Sequence, residues 1–195
     1  MLCSWHWQEH GSADGALANE CSFAQLENRT LVMNSRNYIG QQTHSVKRAI
    51  MWSSDQGASW TEPYFNPDLP DPICEGDMVL GSHTPPTLGV GQPLLFTHPQ
   101  SNLDRANGTL LMSITGGARW TPLLTYQNGC HSYSQMVQFK DGKLGIVFDD
   151  GGEFPPNYDP AHGQCKGITS NQTYVLVELS KSGEVREKEL GEPRG

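Results

Sequence analysis

Residues 53–60 read SSDQGASW, which fits S-x-D-x-G-x-x-W, the pattern known as an Asp box. In this pattern a short Asp side chain accepts hydrogen bonds from N–H groups of its own turn, Gly takes a positive φ, and Trp packs between neighbouring strands. The box therefore predicts a rigid turn between two β-strands. We interpret Asp55 as structural and not catalytic, because a carboxylate that caps its own turn is a poor acid or base.

The same turn occurs a second time further along the chain. Residues 113–120 read SITGGARW and keep Ser, Gly, Ala and Trp at the same offsets, with Thr115 in the place of the Asp. A further Thr follows each Trp, at Thr61 and Thr121. Turns repeated at a fixed period are typical of propellers and other repeat folds. The sequence therefore predicts the blades of a β-propeller.

The composition favours an all-β domain. The 195 residues include 21 Gly and 13 Pro, and 36% are hydrophobic. Abundant Gly and Pro are typical of strands joined by tight turns. The net charge is −8 and no basic run exceeds Lys47-Arg48, which argues against a nucleic-acid or anionic-membrane partner. No stretch approaches the ~18 apolar residues of a membrane span.

Alternating residues and turn signals divide the chain into about three blades. After an irregular lead-in at 1–19, the first blade spans 20–72, with strands at 21–26, 30–36, 47–52 and 61–65. The second blade spans 73–128, with strands at 77–82, 93–98, 109–115 and 121–127. The third blade spans 129–180, with strands at 133–139, 143–149 and 173–179. The charged residues 181–195 are expected to form a frayed tail.

Three blades are fewer than the four to eight of typical closed propellers. We therefore expect the chain to be a fragment of a longer protein. The alternatives are a truncated product, or a chain that buries its end blades against a partner.

Corresponding positions of successive blades meet near the axis of a propeller. The positions that enter the first strands hold Glu20, residues 74–77 and Tyr133, while Arg36 and Arg105 lie at or beyond the ends of second strands. A tyrosine, a carboxylate and two guanidinium groups are thus expected to converge on one face. Glu75 and Asp77, within residues 74–77, are further candidates for the pocket lining.

Several separated motifs now add a family resemblance. In order they are NEC at 19–21, LVMNSR at 31–36, the Asp box, FNPDLPDP at 65–72, LFTHP at 95–99 before Arg105, and residues 129–134. This order resembles that of the exo-α-sialidase (neuraminidase) family, and looks most similar to its animal-type, lysosomal-like members. The resemblance covers most of residues 19–180 and implies an all-β, partial six-bladed β-propeller of sialidase type, from the C-terminal half of the family's fold.

The resemblance also implies residue roles. Tyr133 matches the nucleophile, Glu20 the base that takes its proton, and Arg36 and Arg105 two of the three arginines that bind the sugar carboxylate. The chemistry suits a retaining hydrolysis of terminal sialic acid from glycoproteins, glycolipids or oligosaccharides. Because this sugar carries a carboxylate on the carbon to be attacked, a neutral phenol is a better nucleophile than an anionic Asp or Glu. Arginine provides bidentate recognition of that carboxylate.

The family's first arginine and its Asp acid/base precede the matched motifs. Residues 1–19 do not replace them, since Asp14 lies in a different motif and no Arg occurs before Arg29. General acid catalysis contributes about 10² to 10⁴-fold. We therefore expect the 195 residues alone to be inactive and the intact parent to be a sialidase.

Two other functions fit part of the pattern. A sialidase-like module that binds sialic acid or another glycan without cleaving it would keep the arginines, but would need neither Tyr133 nor Glu20. A purely structural Asp-box repeat does not explain the order of the Glu, Arg, Arg and Tyr residues. The expected partners are sialylated glycoconjugates, together with an accessory protein or the remaining propeller half, and no nucleic acid.

Sequence signals for the compartment conflict. Asn28, Asn107 and Asn171 lie in N-x-T sequons, which favour a lysosomal or secretory protein. Residues 1–7 lack the features of a signal peptide, which taken alone indicates a cytosolic protein, so a cytoplasmic or membrane-associated location is the alternative. The five cysteines and seven histidines show no metal-ligand spacing, and we expect no metal or cofactor. The disulfide pairing stays open.

Overall fold

The computed structural model describes residues 18–37, 46–82, 91–159, 165, 171–179 and 185–189. These residues form eleven β-strands and, within the described ranges, no helix. Accordingly, the described part of the chain has no helix that is long and apolar enough to cross a membrane. The predicted all-β class is confirmed.

The first blade is a four-stranded antiparallel sheet with its strands in chain order. Its strands are β1 (Ala18–Gln25), β2 (Leu31–Asn37), β3 (Lys47–Ser53) and β4 (Tyr64–Pro70). The outer strand lies further along the chain than the predicted 61–65, because residues 61–63 leave the Asp box before the ladder begins. Such a meander is the expected topology of a propeller blade.

The other two blades share one seven-stranded antiparallel sheet, ordered β11-β10-β9-β8-β7-β6-β5. Its strands are β5 (Asp77–Leu80), β6 (Leu94–Pro99), β7 (Ala106–Ser113), β8 (Thr121–Gln138), β9 (Leu144–Gly152), β10 (Asn171–Leu179) and β11 (Val185–Glu189). The first part of β8 is the outer strand of the second blade, and its second part is the inner strand of the third. The sequence predicted two separate strands here, but the chain stays extended through register shifts around Cys130 and His131.

Strand β11 corrects the expected frayed tail at 181–195. Residues 185–189 pair antiparallel with β10, from Leu179 opposite Val185 to Val175 opposite Glu189. This strand is the fourth of the third blade. Charged residues on the outer edge of a sheet commonly protect against edge-to-edge pairing. Such a strand lacks the apolar alternation by which strands are recognised in a sequence.

Both boxes are tight turns. The Asp55 carboxylate accepts hydrogen bonds from the Ser59 N–H at 2.9 Å, the Ser59 hydroxyl at 2.6 Å and the Ser53 hydroxyl at 2.8 Å, and Gly57 has φ +91°. The bonds from Ser59, followed by that from Ser53, lower the pKa of Asp55 to about 2. The carboxylate is therefore committed to its own turn, as predicted.

The second box reproduces this geometry with a hydroxyl. Thr115 Oγ1 accepts the Arg119 N–H at 2.8 Å, and Ser113 Oγ accepts the Gly117 N–H at 2.9 Å. Trp120 is 5% exposed and donates its indole N–H to the Gly117 carbonyl at 2.9 Å. A threonine hydroxyl thus replaces the Asp carboxylate as the acceptor of the turn.

Apolar side chains are buried between successive blades. One cluster joins Val32, Ile50 and Leu69 of the first blade to Leu94 and other residues of the second. Another joins the opposite face of the second blade to the third, and it consists of Leu95, Leu110, Tyr126, Leu144, Ile146, Phe148, Val175 and Val177. The second blade is therefore covered on both faces, as expected for propeller blades stacked around an axis.

Candidate functional site

Tyr133 and Glu20 meet although 113 positions separate them in the chain. The Tyr133 hydroxyl donates a hydrogen bond to Glu20 Oε1 at 3.0 Å. Tyr133 lies on β8 and is 39% exposed. Glu20 has φ +45° at a register shift between Asn19 and Cys21 of β1. Such a bulge re-aims a side chain, which here points at the phenol.

Arg36 lies near the end of β2 and contacts both groups. Its Nη1 forms an ion pair with Glu20 Oε2 and lies 3.5 Å from the Tyr133 hydroxyl oxygen. Arg36 is buried, with 7% of its surface exposed. The β1 and β2 strands pair directly, with Asn19 opposite Arg36, so the position of this arginine follows from the register of the ladder.

Arg105 approaches the tyrosine from another side. Its Nη1 donates to Ser132 Oγ at 3.1 Å and its Nη2 donates to the Ile73 carbonyl at 2.9 Å. The guanidinium carbon lies 5.4 Å from the centre of the Tyr133 ring, in cation–π geometry. The four residues named from the sequence, Glu20, Arg36, Arg105 and Tyr133, therefore lie in one cluster. Their catalytic and binding roles stay predictions.

The surroundings of Tyr133 keep its phenol neutral. Burial raises its pKa, and the hydrogen bond to Glu20 and the charge of that carboxylate add to the effect, while Arg36 and Arg105 oppose it. A phenol with a raised pKa is protonated at neutral pH and needs a base to become a nucleophile. Glu20 Oε1 is placed to accept that proton.

Glu75 and Asp77 line the same face. Glu75 Oε2 accepts the N–H of Ser134, the residue after Tyr133, at 3.1 Å. Asp77 accepts the Ser22 hydroxyl at 2.9 Å and the Met136 N–H at 2.8 Å. Asp77 thus ties together β1, β5 and β8, the inner strands of the three blades. Burial, followed by the charge of Asp77, raises the pKa of Glu75 to about 7.

Arg48 is a further cation near the site, and the sequence patterns did not single it out. Its guanidinium is fully buried and donates to Asn34 Oδ1 at 2.6 Å and to the Cys74 carbonyl at 2.7 Å. Asp71 Oδ1 lies 3.8 Å away and also accepts the Ile73 N–H at 2.9 Å. Burial lowers the pKa of Arg48, and Asp71 opposes this effect. One available signal was the alternation of β3, which places Arg48 on the core face with Ile50.

A disulfide joins Cys130 to Cys165, which settles a pairing that the sequence left open. Cys21 is free and exposed, while Cys74 is free and buried. Among the residues that the structure describes, no three His, Cys, Asp or Glu side chains converge as a metal site would require.

Comparison with known proteins finds one matching family and similarity to sialidases. Residues 2–146 match the model of the family described as BNR repeat-like domain. A sialidase from Micromonospora viridifaciens is 28% identical over 142 residues, 72% of this chain and 21% of the relative. A sialidase from Bacteroides fragilis is 26% identical over 148 residues, 74% of this chain and 26% of the relative. The chain thus spans about a fifth to a quarter of the length of these curated relatives.

Solved structures show the same fold. Hadza microbial sialidase Hz136 is 26% identical with a TM-score of 0.54, and the match covers 67% of this chain and 25% of that one. The intramolecular trans-sialidase from Ruminococcus gnavus has a TM-score of 0.63 at 18% identity, over 93% of this chain and 37% of that one. An α-L-arabinofuranosidase from Fusarium graminearum also matches, at 13% identity and a TM-score of 0.58, over 92% and 51%. The fold alone therefore does not select the sugar.

Proposed function

Because this chain belongs to the family of BNR repeat-like domains, we propose that it is the part of an exo-α-sialidase that carries the nucleophile. The enzyme hydrolyses terminal sialic acid from glycoproteins, glycolipids or oligosaccharides and retains the configuration at the reacting carbon. One observation carries the proposal: the Tyr133 hydroxyl donates to Glu20, and two guanidinium groups flank the same phenol.

In the first step, Tyr133 attacks the carbon that bears the sugar carboxylate while its phenolic proton passes to Glu20. The new bond joins the Tyr133 oxygen to that carbon, and the bond to the aglycone oxygen breaks. Water then hydrolyses the glycosyl–tyrosine intermediate, which is why the configuration is retained. The ion pair with Arg36 holds the Glu20 side chain next to the phenol.

Arg105 and Arg36 bind the substrate carboxylate in this proposal. Arginine is charged at any physiological pH and presents a planar fork of donors that matches a carboxylate. The contacts of Arg105 with Ser132 and the Ile73 carbonyl fix its guanidinium before substrate arrives. Preorganised charge of this kind costs no reorganisation during the reaction.

The family resemblance implies an acid that protonates the leaving group and a third arginine. It assigns both to a region outside the matched motifs. We therefore propose that the 195 residues alone do not hydrolyse sialosides, whereas a longer protein that contains them does. Lysosomal-like animal sialidases are our proposal for the subtype, although both curated relatives described above are bacterial.

The test compares hydrolysis of a fluorogenic sialoside by the 195-residue chain and by the longer protein. We expect turnover in the longer protein only, and we expect Tyr133→Phe to abolish it while the protein stays folded. Turnover by the 195 residues would refute the inactivity of this chain. Full activity of Tyr133→Phe in the longer protein would refute the assignment of Tyr133 as the nucleophile.

A non-catalytic module that binds sialic acid is the second candidate. It is favoured by the fixed positions of Arg105 and Arg36, which are held by contacts within this chain and do not depend on the acid that protonates the leaving group. Calorimetric titration of the longer protein with sialic acid separates the two functions. Binding without hydrolysis, unchanged in Tyr133→Phe and lost in Arg105→Ala, would favour the binding module over the enzyme.

We further propose a lysosomal or secretory location, with a cytoplasmic or membrane-associated one as the alternative. Asn28 and Asn171 are exposed, as glycosylation requires. The Cys130–Cys165 disulfide agrees with an oxidising compartment. Release of N-glycans from the cellular protein should lower its mass, and an unchanged mass would argue for the alternative. Proposed partners are sialylated glycoconjugates, with an accessory protein or further propeller blades.

A further inference from the structure

The Cys130–Cys165 disulfide lies close to the candidate site along the chain. Cys130 precedes Tyr133 by three residues on β8, and it pairs across the ladder with Ala106, the residue after Arg105. The crosslink therefore attaches Cys165 to the two strands that flank the site. The proposed function assigns no role to this attachment.

Asp104 connects the disulfide to Arg105. It is fully buried, and its Oδ1 and Oδ2 accept the N–H of Cys165 at 2.9 and 3.0 Å. The same Oδ1 accepts the N–H of Arg105 at 2.9 Å. Hydrogen bonds to a carboxylate are about twice as strong as neutral ones. The position of the Cys165 N–H thus determines where the Asp104 carboxylate holds the Arg105 backbone.

Arg105 is held on its other side by the residues that follow Cys130. Its carbonyl accepts the His131 N–H at 2.8 Å, and its side chain donates to Ser132 Oγ at 3.1 Å. Ala106 and the two half-cystines form a small buried cluster, against which Phe154 and Tyr158 stack with ring centres 3.9 Å apart. A continuous set of bonds therefore runs from the disulfide to the guanidinium that faces Tyr133.

We propose that Asp104 and the Cys130–Cys165 disulfide are positioning residues for Arg105, so that reduction of the disulfide weakens recognition of the substrate carboxylate. A dithiol is the reductant: it supplies two electrons and two protons, becomes a disulfide itself, and leaves Cys130 and Cys165 as thiols. That the carboxylate belongs to sialic acid rests on the proposed function. The hydrogen bonds that connect the disulfide to Arg105 do not rest on it.

Amide hydrogen exchange of the 195-residue chain tests the link without any activity. After dithiol treatment, the Cys165 and His131 amides should exchange about tenfold faster or more, because a disulfide stabilises the structure that it closes against local opening. Amides of the β2–β3 ladder in the first blade should not change. In Cys130→Ala/Cys165→Ala, the His131 amide should exchange as fast as in the reduced chain, with or without dithiol. In the control Cys21→Ser, dithiol should accelerate exchange as it does in the natural chain.

Two exchange results would overturn the proposal. An unchanged His131 amide would show that the crosslink does not hold Arg105. Equal acceleration in the β2–β3 ladder would show that the disulfide stabilises the whole chain and positions no single residue.

Calorimetric titration with sialic acid and with its methyl ester tests the consequence for binding. Reduction should weaken the binding of sialic acid about tenfold, because a charge-assisted hydrogen bond to its carboxylate is lost, and should leave the binding of the uncharged ester unchanged. Asp104→Asn keeps a hydrogen-bond acceptor and should retain most of the affinity for sialic acid. Asp104→Ala should bind sialic acid as weakly as the reduced chain does. Unchanged affinity after reduction would overturn the proposal. If the oxidised chain binds neither ligand, carboxylate recognition by this chain fails, and hydrogen exchange alone decides the link.

Discussion

Glu75 is an acidic side chain that the fold holds beside the candidate nucleophile. Burial raises its pKa to about 7, above its ordinary value of 4.5, although the Ser134 N–H partly opposes the shift. The folded state therefore binds the proton more tightly than the unfolded state does. Between about pH 4.5 and pH 7, stability should fall as pH rises, since the unfolded state ionises first.

Glu75→Gln should remove this pH dependence. The amide oxygen still accepts the Ser134 N–H but carries no charge. Above pH 7 we expect a gain of about 1 kcal/mol in the free energy of unfolding, discounted for the partial exposure of the group, and no gain below pH 4.5. Urea unfolding at pH 4 and pH 8 measures the difference. The exposed Glu62→Gln is the control, and equal behaviour of both variants at both pH values would contradict the argument.

Arg48 is a fully buried charge near the candidate site, and Asp71 is its buried acidic partner. Arg48→Met should cost about 3–5 kcal/mol, because it leaves the buried Asp71 carboxylate without its cation. Urea unfolding gives the value. The double variant Arg48→Met/Asp71→Asn should recover part of the loss. Lys47→Met, a neighbouring residue that is half exposed, should change stability by less than about 0.5 kcal/mol. A loss as small for Arg48→Met as for Lys47→Met would show that the ion pair is dispensable.

At the scale of elements, the two boxes offer a matched comparison. Asp55→Thr introduces the hydroxyl acceptor that the second box already uses, so it should lower the melting temperature only slightly. Asp55→Ala removes the acceptor and should lower the melting temperature more. The contribution of the carboxylate should be present above its ordinary pKa of 3.8 and should disappear as pH falls toward 2. Thermal unfolding of the three chains at pH 7 and pH 2.5 measures this. Loss of sialic-acid binding in Asp55→Ala without a change in melting temperature would contradict the structural role.

The inner strands were predictable because each combines alternating apolar residues with an adjacent turn signal. The continuity of β8 was not, since residues 128–132 resemble a turn in sequence and become a strand only through pairing with Ala106 and Gly152. β11 was missed because its edge position requires no apolar alternation. The cluster of Tyr133, Glu20 and two arginines was predictable from motif order. The Asp104 link was not, because it depends on a disulfide that joins positions 35 residues apart.

At the scale of the whole molecule, the two outer blades differ from the central one. The second blade is covered on both faces, and Val79 on one of them packs against the third blade. Val137 occupies the corresponding position of the third blade, yet it is 52% exposed, and Phe139 and Val147 near it are each 40% exposed. Both faces of the second blade carry such apolar residues, and each of these faces is covered by another blade. The occupant that this face fits is therefore a further β-blade.

The isolated chain should associate through this face, with a blade of a second copy in the place of the further one. Sedimentation velocity over a range of concentrations should reveal species larger than 21.5 kDa. Val137→Lys/Val147→Lys should shift the chain toward monomer, because charges on the face oppose apolar contact. Ile114→Lys changes an equally exposed apolar residue in the turn of the second box and should have no effect. A chain that is monomeric at every concentration, with or without the lysines, would contradict association through this face.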